Sequence, residues 1–417
     1  MTRLLIKGGK ILKGECEIMA AKNAVLPIIA ATLMTKEPCE ICHVPKITDI
    51  VNMLKIIQSL GAEVTFEDGC IHIDNSGVNQ YSVPADLAKE LRSSFFLLGP
   101  ILSKMRRAVV SYPGGCDIGL RPLDIHMKGL REMGIAVEES HGMMYCDGTR
   151  LKGADIVLDF PSVGATENIM MAATLAKGRT RIFNAAKEPE IVDLQNFINQ
   201  MGGKICGAGG GKIEIEGVSK LHGCRYTPID DRIAAGTVIL AAATCGGDVT
   251  VRGRVAEYLE PLLFKLNKSS CFLDVHSDRI VLKNYARSRN FDKLETQPYP
   301  GFPTDLQSQM MVWMSVSEGT GVIVENIFET RFRIVRELRK MGAMITVQDR
   351  AAVIRGVKTL EGASLTACDL RGGASLVIAG MKAEGYSTID NVEHIDRGYE
   401  RIERIFTSLG AEIKRLE

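Results

Sequence analysis

The apolar and polar positions of this chain spell one phrase six times: a stripe with helical period, a glycine exit, then two short alternating runs. The copies read DIVNMLKIIQSLGAEVTFEDGCIHI, DIHMKGLREMGIAVEESHGMMYC, DLQNFINQMGGKICGAGGGKIEIEG, LEPLLFKLNKSSCFLDVHSDRIVL, RIVRELRKMGAMITVQDRAAVIRG and IERIFTSLGAEIKRLE. Leu194, Phe197, Ile198 and Met201 fall at i, i+3, i+4 and i+7, as do Ile402, Ile405, Phe406 and Leu409, so each phrase predicts an amphipathic helix burying one stripe. Asp49, Asp124 and Asp193 stand where N-cap carboxylates are expected. Gly61, Gly134, Gly202, Gly342 and Gly410 stand where left-handed caps end helices.

These exits, with Ser270 in the fourth copy, are separated by 73, 68, 68, 72 and 68 residues, so the unit is long enough to hold more than one helix. A second helix, apolar all round, is predicted in every copy: NAVLPIIAATLM, SSFFLLGPILSKM, ENIMMAATLA, RIAAGTVILAAAT, QSQMMVWMSVS and GASLVIAGMKA. Such a segment belongs inside a core. Each unit then supplies two helices and about four strands. Six units divide as three plus three, with the crossing at 228–231, and the period is too long for an open solenoid. The expectation is α/β, in two pseudo-threefold domains with a substrate pocket between them.

Composition narrows the function. The 417 residues exceed what one core usually serves. Net charge is +1 and no basic surface is apparent, which argues against nucleic acid. No long apolar run suggests a membrane span or signal peptide, so a cytoplasmic location is expected. The eleven cysteines are scattered, which suits reduced core thiols. Cys39 and Cys42 have redox or zinc spacing, but without a second pair or a histidine doublet, and in a strand-like context, no metal site is expected there.

Residues that break the repeat carry the chemistry. In AAKNAVLP, Lys22 precedes a core helix, where free N–H groups and the dipole favour an anion; a solvated loop lysine is the plainer alternative. SYPGGCDIGLRPLDIH puts Cys116 on a glycine loop near Arg121, either an inert turn thiol or a group with a lowered pKa. DFPSVGATEN offers Ser162, Val163 and Gly164, whose backbone amides can approach a phosphate or simply start a helix. PYPGFPTDLQ delivers Asp305 to a helix start, where an N-cap is the plain reading. FETRFR, CDLRGGAS and HIDRGYERIE carry Arg331, Arg371, Arg397 and Arg401, of which Arg401 reads as a surface charge. Arg371 and Arg397 adjoin apolar helix starts, a poor place for idle charge.

Together AAKNAVLP, PGGCDIGLRPLDIH, DFPSVGATEN, PYPGFPTDLQ, FETRF, DLRGGASLVIAG and HIDRGYERIE closely resemble the UDP-N-acetylglucosamine 1-carboxyvinyltransferases, enolpyruvyl transferases of peptidoglycan synthesis, over essentially the whole chain. The resemblance implies a two-domain inside-out α/β barrel of six βαβαββ units. One domain would span 22–229 and carry the Cys116 loop; the other would combine 1–21 with 230–417, with the active site in the cleft. It implies transfer of the enolpyruvyl group of phosphoenolpyruvate to the 3′-hydroxyl of UDP-N-acetylglucosamine by addition and elimination, with no metal or organic cofactor. Separately from the resemblance, a monomer is expected.

By the same resemblance Cys116 would be the acid on a closing lid, open to alkylation by fosfomycin, and Asp305 the base. Lys22, Asn23, Arg121, Arg371 and Arg397 would hold phosphoenolpyruvate, with Lys22 and Arg397 also catalytic. Asn23, Arg92, Arg121, Pro122, Leu123, Asp124, Ile125, Ser162, Val163, Gly164, Asp305 and Ile327 would bind the nucleotide sugar. The sister family that makes 5-enolpyruvylshikimate 3-phosphate lacks the cysteine loop. The RNA 3′-terminal phosphate cyclases, which share a related repeat, would call for a basic surface. Ala20 stands where the family usually has glycine, and Ser270 replaces one glycine exit.

Overall fold

The computed structural model describes residues 2–112 and 123–417. They form two compact units, residues 2–19 with 230–417, and residues 20–112 with 123–229. Each unit encloses one large apolar core.

In the second of these units the core helices are Lys22–Thr32, Leu98–Met105 and Val163–Thr174. In the first they are Arg232–Cys245, Gln307–Val316 and Leu370–Lys382. They are buried almost throughout, as their all-round apolar sequences require: in Lys22–Thr32 every residue but Asn23 is buried. Sheets wrap the helices, burying alternate residues, so the helices lie inside and the sheets outside. SSFFLLGPILSKM departs from the single predicted helix: Arg92–Leu97 is a 3-10 turn, and the α-helix begins at Leu98. Pro100 lacks an N–H to donate and is tolerated in a helix's first turn, and Gly99 must press on the neighbouring helix, where a Cβ would come within 2.4 Å of the Asn168 carbonyl oxygen.

Each unit owns three sheets. In the first unit strand Arg3–Lys7 lies antiparallel between Tyr386–Asp390 and Glu412–Leu416, while Leu12–Glu17 pairs in parallel with Gly247–Arg252. Two of its three sheets therefore borrow a strand from residues 3–17.

The glycine exits hold: Gly61, Gly134, Gly202, Gly342 and Gly410 all have φ between +85° and +106°. Ser270 takes the same left-handed turn at φ +81°, a conformation that strains a residue with a Cβ. The aspartate N-caps do not hold. Asp49 and Asp124 lie inside the first turns of their helices, and neither helix has a side-chain cap. Asp193 sits mid-helix, where its carboxylate accepts from Tyr226 Oη at 2.6 Å and the Ile229 N–H at 3.1 Å. The spacing was right for helices, but Asp49 is spent on an ion pair and Asp193 on tertiary contacts, while exposed Asp124 accepts the next N–H, that of Ile125. Among the described residues no helix is long and apolar enough to cross a membrane, and the described cysteines are free thiols.

Candidate active site

In the unit holding residues 230–417, the N-termini of the three core helices meet around Arg371. Asp231 caps the first, its Oδ1 accepting the Ile233 and Ala234 N–H groups at 2.8 Å. Asp369 caps the third through the Arg371 and Gly372 N–H groups, both at 3.0 Å. Ahead of the second, Thr304–Leu306 forms a 3-10 turn bearing Asp305. The N-cap residues of this turn and of the helix after it, Pro303 and Leu306, make no side-chain cap, and the Asp305 carboxylate is held by two arginines. Arg331 Nη2 donates to Oδ1 at 2.6 Å and Arg371 Nη2 to Oδ2 at 3.3 Å.

Both guanidiniums are nearly inaccessible, and a buried charge needs opposite charge and hydrogen bonds around it. Burial pulls the Arg371 pKa down, but Asp305, Tyr399 and Asp231 outweigh it and hold it above the usual arginine value. Arg371 Nη1 donates to Tyr399 Oη at 3.1 Å, that hydroxyl lies 2.8 Å from Thr237 Oγ1, and Gln309 Nε2 donates to the same threonine at 3.1 Å. Arg371 is therefore fixed from two core helices.

Arg397 follows the short helix Glu393–Asp396 and is partly buried. Its neighbour Gly398 packs so tightly on the start of helix Leu370–Lys382 that a Cβ there would lie 2.6 Å from Leu370 Cδ2. Ile327 joins the same network through buried Glu325, whose Oε1 accepts the Ile327 and Phe328 N–H groups and the Thr296 hydroxyl, while Oε2 accepts Thr304 Oγ1 at 3.0 Å. Asp396 turns away and pairs with Arg415 at 2.7 Å, and Arg401, exposed, pairs with Glu403 at 2.9 Å, as a surface charge would.

The other unit holds a second cluster. Lys22 opens its core helix with its ammonium against Asp49 at 2.6 Å, the two side chains only 11 % and 3 % exposed. Asn23 beside it is partly exposed. Ser162 caps helix Val163–Thr174, its hydroxyl accepting the Ala165 N–H at 3.3 Å. Gly164 rests on the buried ring of His126, where a Cβ would be 3.1 Å from Cε1. That ring stands edge-on to Phe95 at 5.0 Å and lies 3.2 Å from the Asn168 amide. Burial, then the charge of Arg92, push the His126 pKa down to about 3, so the imidazole is neutral and the Arg92 guanidinium is close enough to be felt. Arg92 and the Ser162–Gly164 turn are thereby brought together, with Leu123, Asp124 and Ile125 at the start of the helix that carries His126.

Cys116, Arg121 and Pro122 lie outside the described residues. Sequence reasoning saw Arg331 only as one arginine of a run, and missed Asp49 as a partner of Lys22, Glu325 and Tyr399. It also missed Glu167, fully buried, whose pKa is raised well above the carboxylate range by burial and by Glu190 and Glu188. A glutamate inside the apolar run ENIMMAATLA was the available signal for that last one.

The family model that matches, EPSP synthase (3-phosphoshikimate 1-carboxyvinyltransferase), spans residues 6–406. A UDP-N-acetylglucosamine 1-carboxyvinyltransferase 2 of Caldanaerobacter subterraneus subsp. tengcongensis is 49% identical over 416 residues, covering 100% of both chains. A UDP-N-acetylglucosamine 1-carboxyvinyltransferase of Serratia proteamaculans is 46% identical over 419 residues, again with 100% of both covered. Among solved structures, the enolpyruvyl transferase NikO from Streptomyces tendae superposes with a TM-score of 0.89 at 22% identity, covering 99% of this chain and 98% of its own. An EPSP synthase from Acinetobacter baumannii gives 0.78 at 18% identity, with 100% of both covered. Those two likenesses establish the enolpyruvyl transferase fold, and the full-length identities establish the family: this chain belongs to the UDP-N-acetylglucosamine 1-carboxyvinyltransferases, a branch of the wider EPSP synthase family.

Proposed function

We propose that this protein transfers the enolpyruvyl group of phosphoenolpyruvate to the 3′-hydroxyl of UDP-N-acetylglucosamine, releasing phosphate, in the cytoplasm. One geometric observation carries the reading: Asp305, expected as the base, and Arg371, expected to hold the anionic donor, lie 3.3 Å apart with both side chains fixed by further contacts.

In the addition step the Cys116 thiol gives its proton to the methylene carbon of phosphoenolpyruvate. The sugar oxygen bonds to the adjacent carbon, and its proton passes to Asp305. In the elimination step the carbon–oxygen bond to phosphate breaks, the Cys116 thiolate takes a proton back from the new methyl group, the proton on Asp305 leaves with the phosphate, and the double bond re-forms. Each such proton transfer is worth about 10² to 10⁴ in rate.

Each carboxylate oxygen has two lone pairs, so Asp305 can take the sugar proton while Arg331 and Arg371 hold its side chain in place. Lys22, Arg121 and Arg397 complete the anion's hold, each charged hydrogen bond contributing about 1.5 to 3 kcal/mol. We assign Asn23 and Ile327 to binding the sugar, Arg92 and 121–125 to the uridine, and Ser162 to Gly164 to the diphosphate, where helix N–H groups suit phosphate oxygens.

Phosphate release is the test. With phosphoenolpyruvate and UDP-N-acetylglucosamine the protein should liberate phosphate, and with shikimate 3-phosphate in place of the sugar it should not. Cys116→Ala and Asp305→Ala should each abolish turnover. Release with shikimate 3-phosphate alone would overturn the proposal in favour of the sister reaction.

A further inference from the structure

Strand Cys39–Ile41 runs between Arg225–Tyr226 on one side and Cys70–Asp74 on the other. Its antiparallel register sets Cys39 against Ile73 and Ile41 against Ile71, so one residue further Cys42 comes opposite Cys70. Side chains alternate along a strand, which sends Cys39 to the other face, where its thiol meets that of Cys224. The Cys39 and Cys42 spacing, a pair by sequence, is thus split by the sheet, and Cys42 gains a different partner.

Glu40 shares a face with Cys42. One ligand atom from each of Glu40, Cys42 and Cys70 lies within 4.8 Å of the others. The Cys42 thiol donates to Glu40 Oε1 at 3.4 Å. Cys42 is buried while Glu40 and Cys70 are half-buried, so the group is built into the sheet yet open to solvent on one side.

We propose that Glu40, Cys42 and Cys70 form a binding site for a thiophilic divalent cation of the zinc type, separate from the transferase chemistry. Two sulfurs and one carboxylate oxygen make a donor set for zinc or cadmium, whereas magnesium and calcium demand oxygen alone. Around a tetrahedral ion, metal–sulfur bonds of about 2.3 Å and metal–oxygen bonds of about 2.1 Å set the donors roughly 3.6 to 3.8 Å apart. The Cys42 thiol and Glu40 Oε1, 3.4 Å apart, are already close to that spacing, and a spread within 4.8 Å needs at most about an ångström of side-chain closure to reach it.

Charge also balances. Two thiolates and a carboxylate carry three negative charges, the cation returns two, and the Arg225 guanidinium returns the third, its Nε 3.6 Å from Glu40 Oε1. Three protein donors leave a fourth position for water or a small ligand, which describes an exchangeable ion rather than a sealed structural one.

The test titrates the reduced full-length protein with cadmium and follows the near-ultraviolet thiolate-to-metal absorption. One equivalent should develop the band, and zinc should displace cadmium and abolish it. Cys42→Ser and Cys70→Ser should lose it, Glu40→Gln should weaken binding at least about tenfold, and Cys39→Ser should retain it. If Cys42→Ser fails to fold, half-buried Cys70 and Glu40 carry the comparison. A band undiminished in Cys70→Ser, or no band at one equivalent, overturns the proposal, and neither result bears on phosphate release.

Discussion

Lys22 and Asp49 form an ion pair of 2.6 Å with almost no access to solvent, joining the first turn of a core helix to the first turn of an amphipathic one. Asp49 sets where the ammonium points, and Lys22 is the residue expected to meet the donor's phosphate. In Asp49→Asn the buried ammonium loses this carboxylate. The expected outcome is a loss of about 3 kcal/mol in stability, read by urea denaturation, together with a raised KM for phosphoenolpyruvate and a smaller change for the nucleotide sugar.

Arg331 acts on Asp305 from a buried position, so changing its shape should disturb catalysis more than binding. Arg331→Lys keeps the charge but loses the planar fork. Its kcat should fall about 100-fold, the cost of a base displaced by roughly an ångström, while KM for UDP-N-acetylglucosamine changes little. Steady-state kinetics on the variant decides this; a KM effect with kcat preserved would count against a positioning role.

The thiols offer a selective chemical readout. Among the described cysteines only Cys206 and Cys368 are exposed, and burial pushes the Cys368 thiol up, which suppresses its thiolate. An epoxide such as fosfomycin should therefore alkylate Cys116 alone of the eleven. Peptide mapping after treatment checks it, and labelling at Cys206 or Cys368 instead would remove the case for an activated loop thiol.

Two buried groups should oppose each other in the pH dependence of stability. His126 has a depressed pKa when folded, so its contribution is complete above about 6.5, its unfolded value, and is lost as pH falls toward 3. Between pH 7.5 and 5 that loss is about 2 kcal/mol, and His126→Asn should show less of it in denaturant titrations. Glu167 has a raised pKa when folded, so above 4.5 it destabilises increasingly until its own folded value is passed. Glu167→Gln should gain on the parent by about 1.4 kcal/mol per pH unit in that window.

The helices were legible because a core helix cannot hide its composition: ENIMMAATLA and QSQMMVWMSVS read as buried from letters alone, and they are. Turns were legible for the same kind of reason, since a left-handed exit selects glycine, and the repeat spacing alone placed Ser270 at the one exit without it. The aspartates were not. Asp49, Asp193 and Asp305 satisfy the N-cap pattern by position, but each has a stronger partner that is distant in sequence: Lys22, Tyr226 and the pair Arg331 and Arg371. A local rule cannot anticipate a long-range charge. The same holds for Cys42, whose partner was chosen by strand register rather than by spacing.

The strand Arg3–Lys7 has a consequence for how the protein comes into being. Its two neighbours, Tyr386–Asp390 and Glu412–Leu416, are synthesised long after it. Residues 20–229 contain every strand that their own three sheets need, so that half can fold while the ribosome is still at work. Residues 3–17 must wait outside it, and a chain stalled short of residue 386 would carry an unpaired apolar strand, a ready substrate for chaperones or for proteolysis.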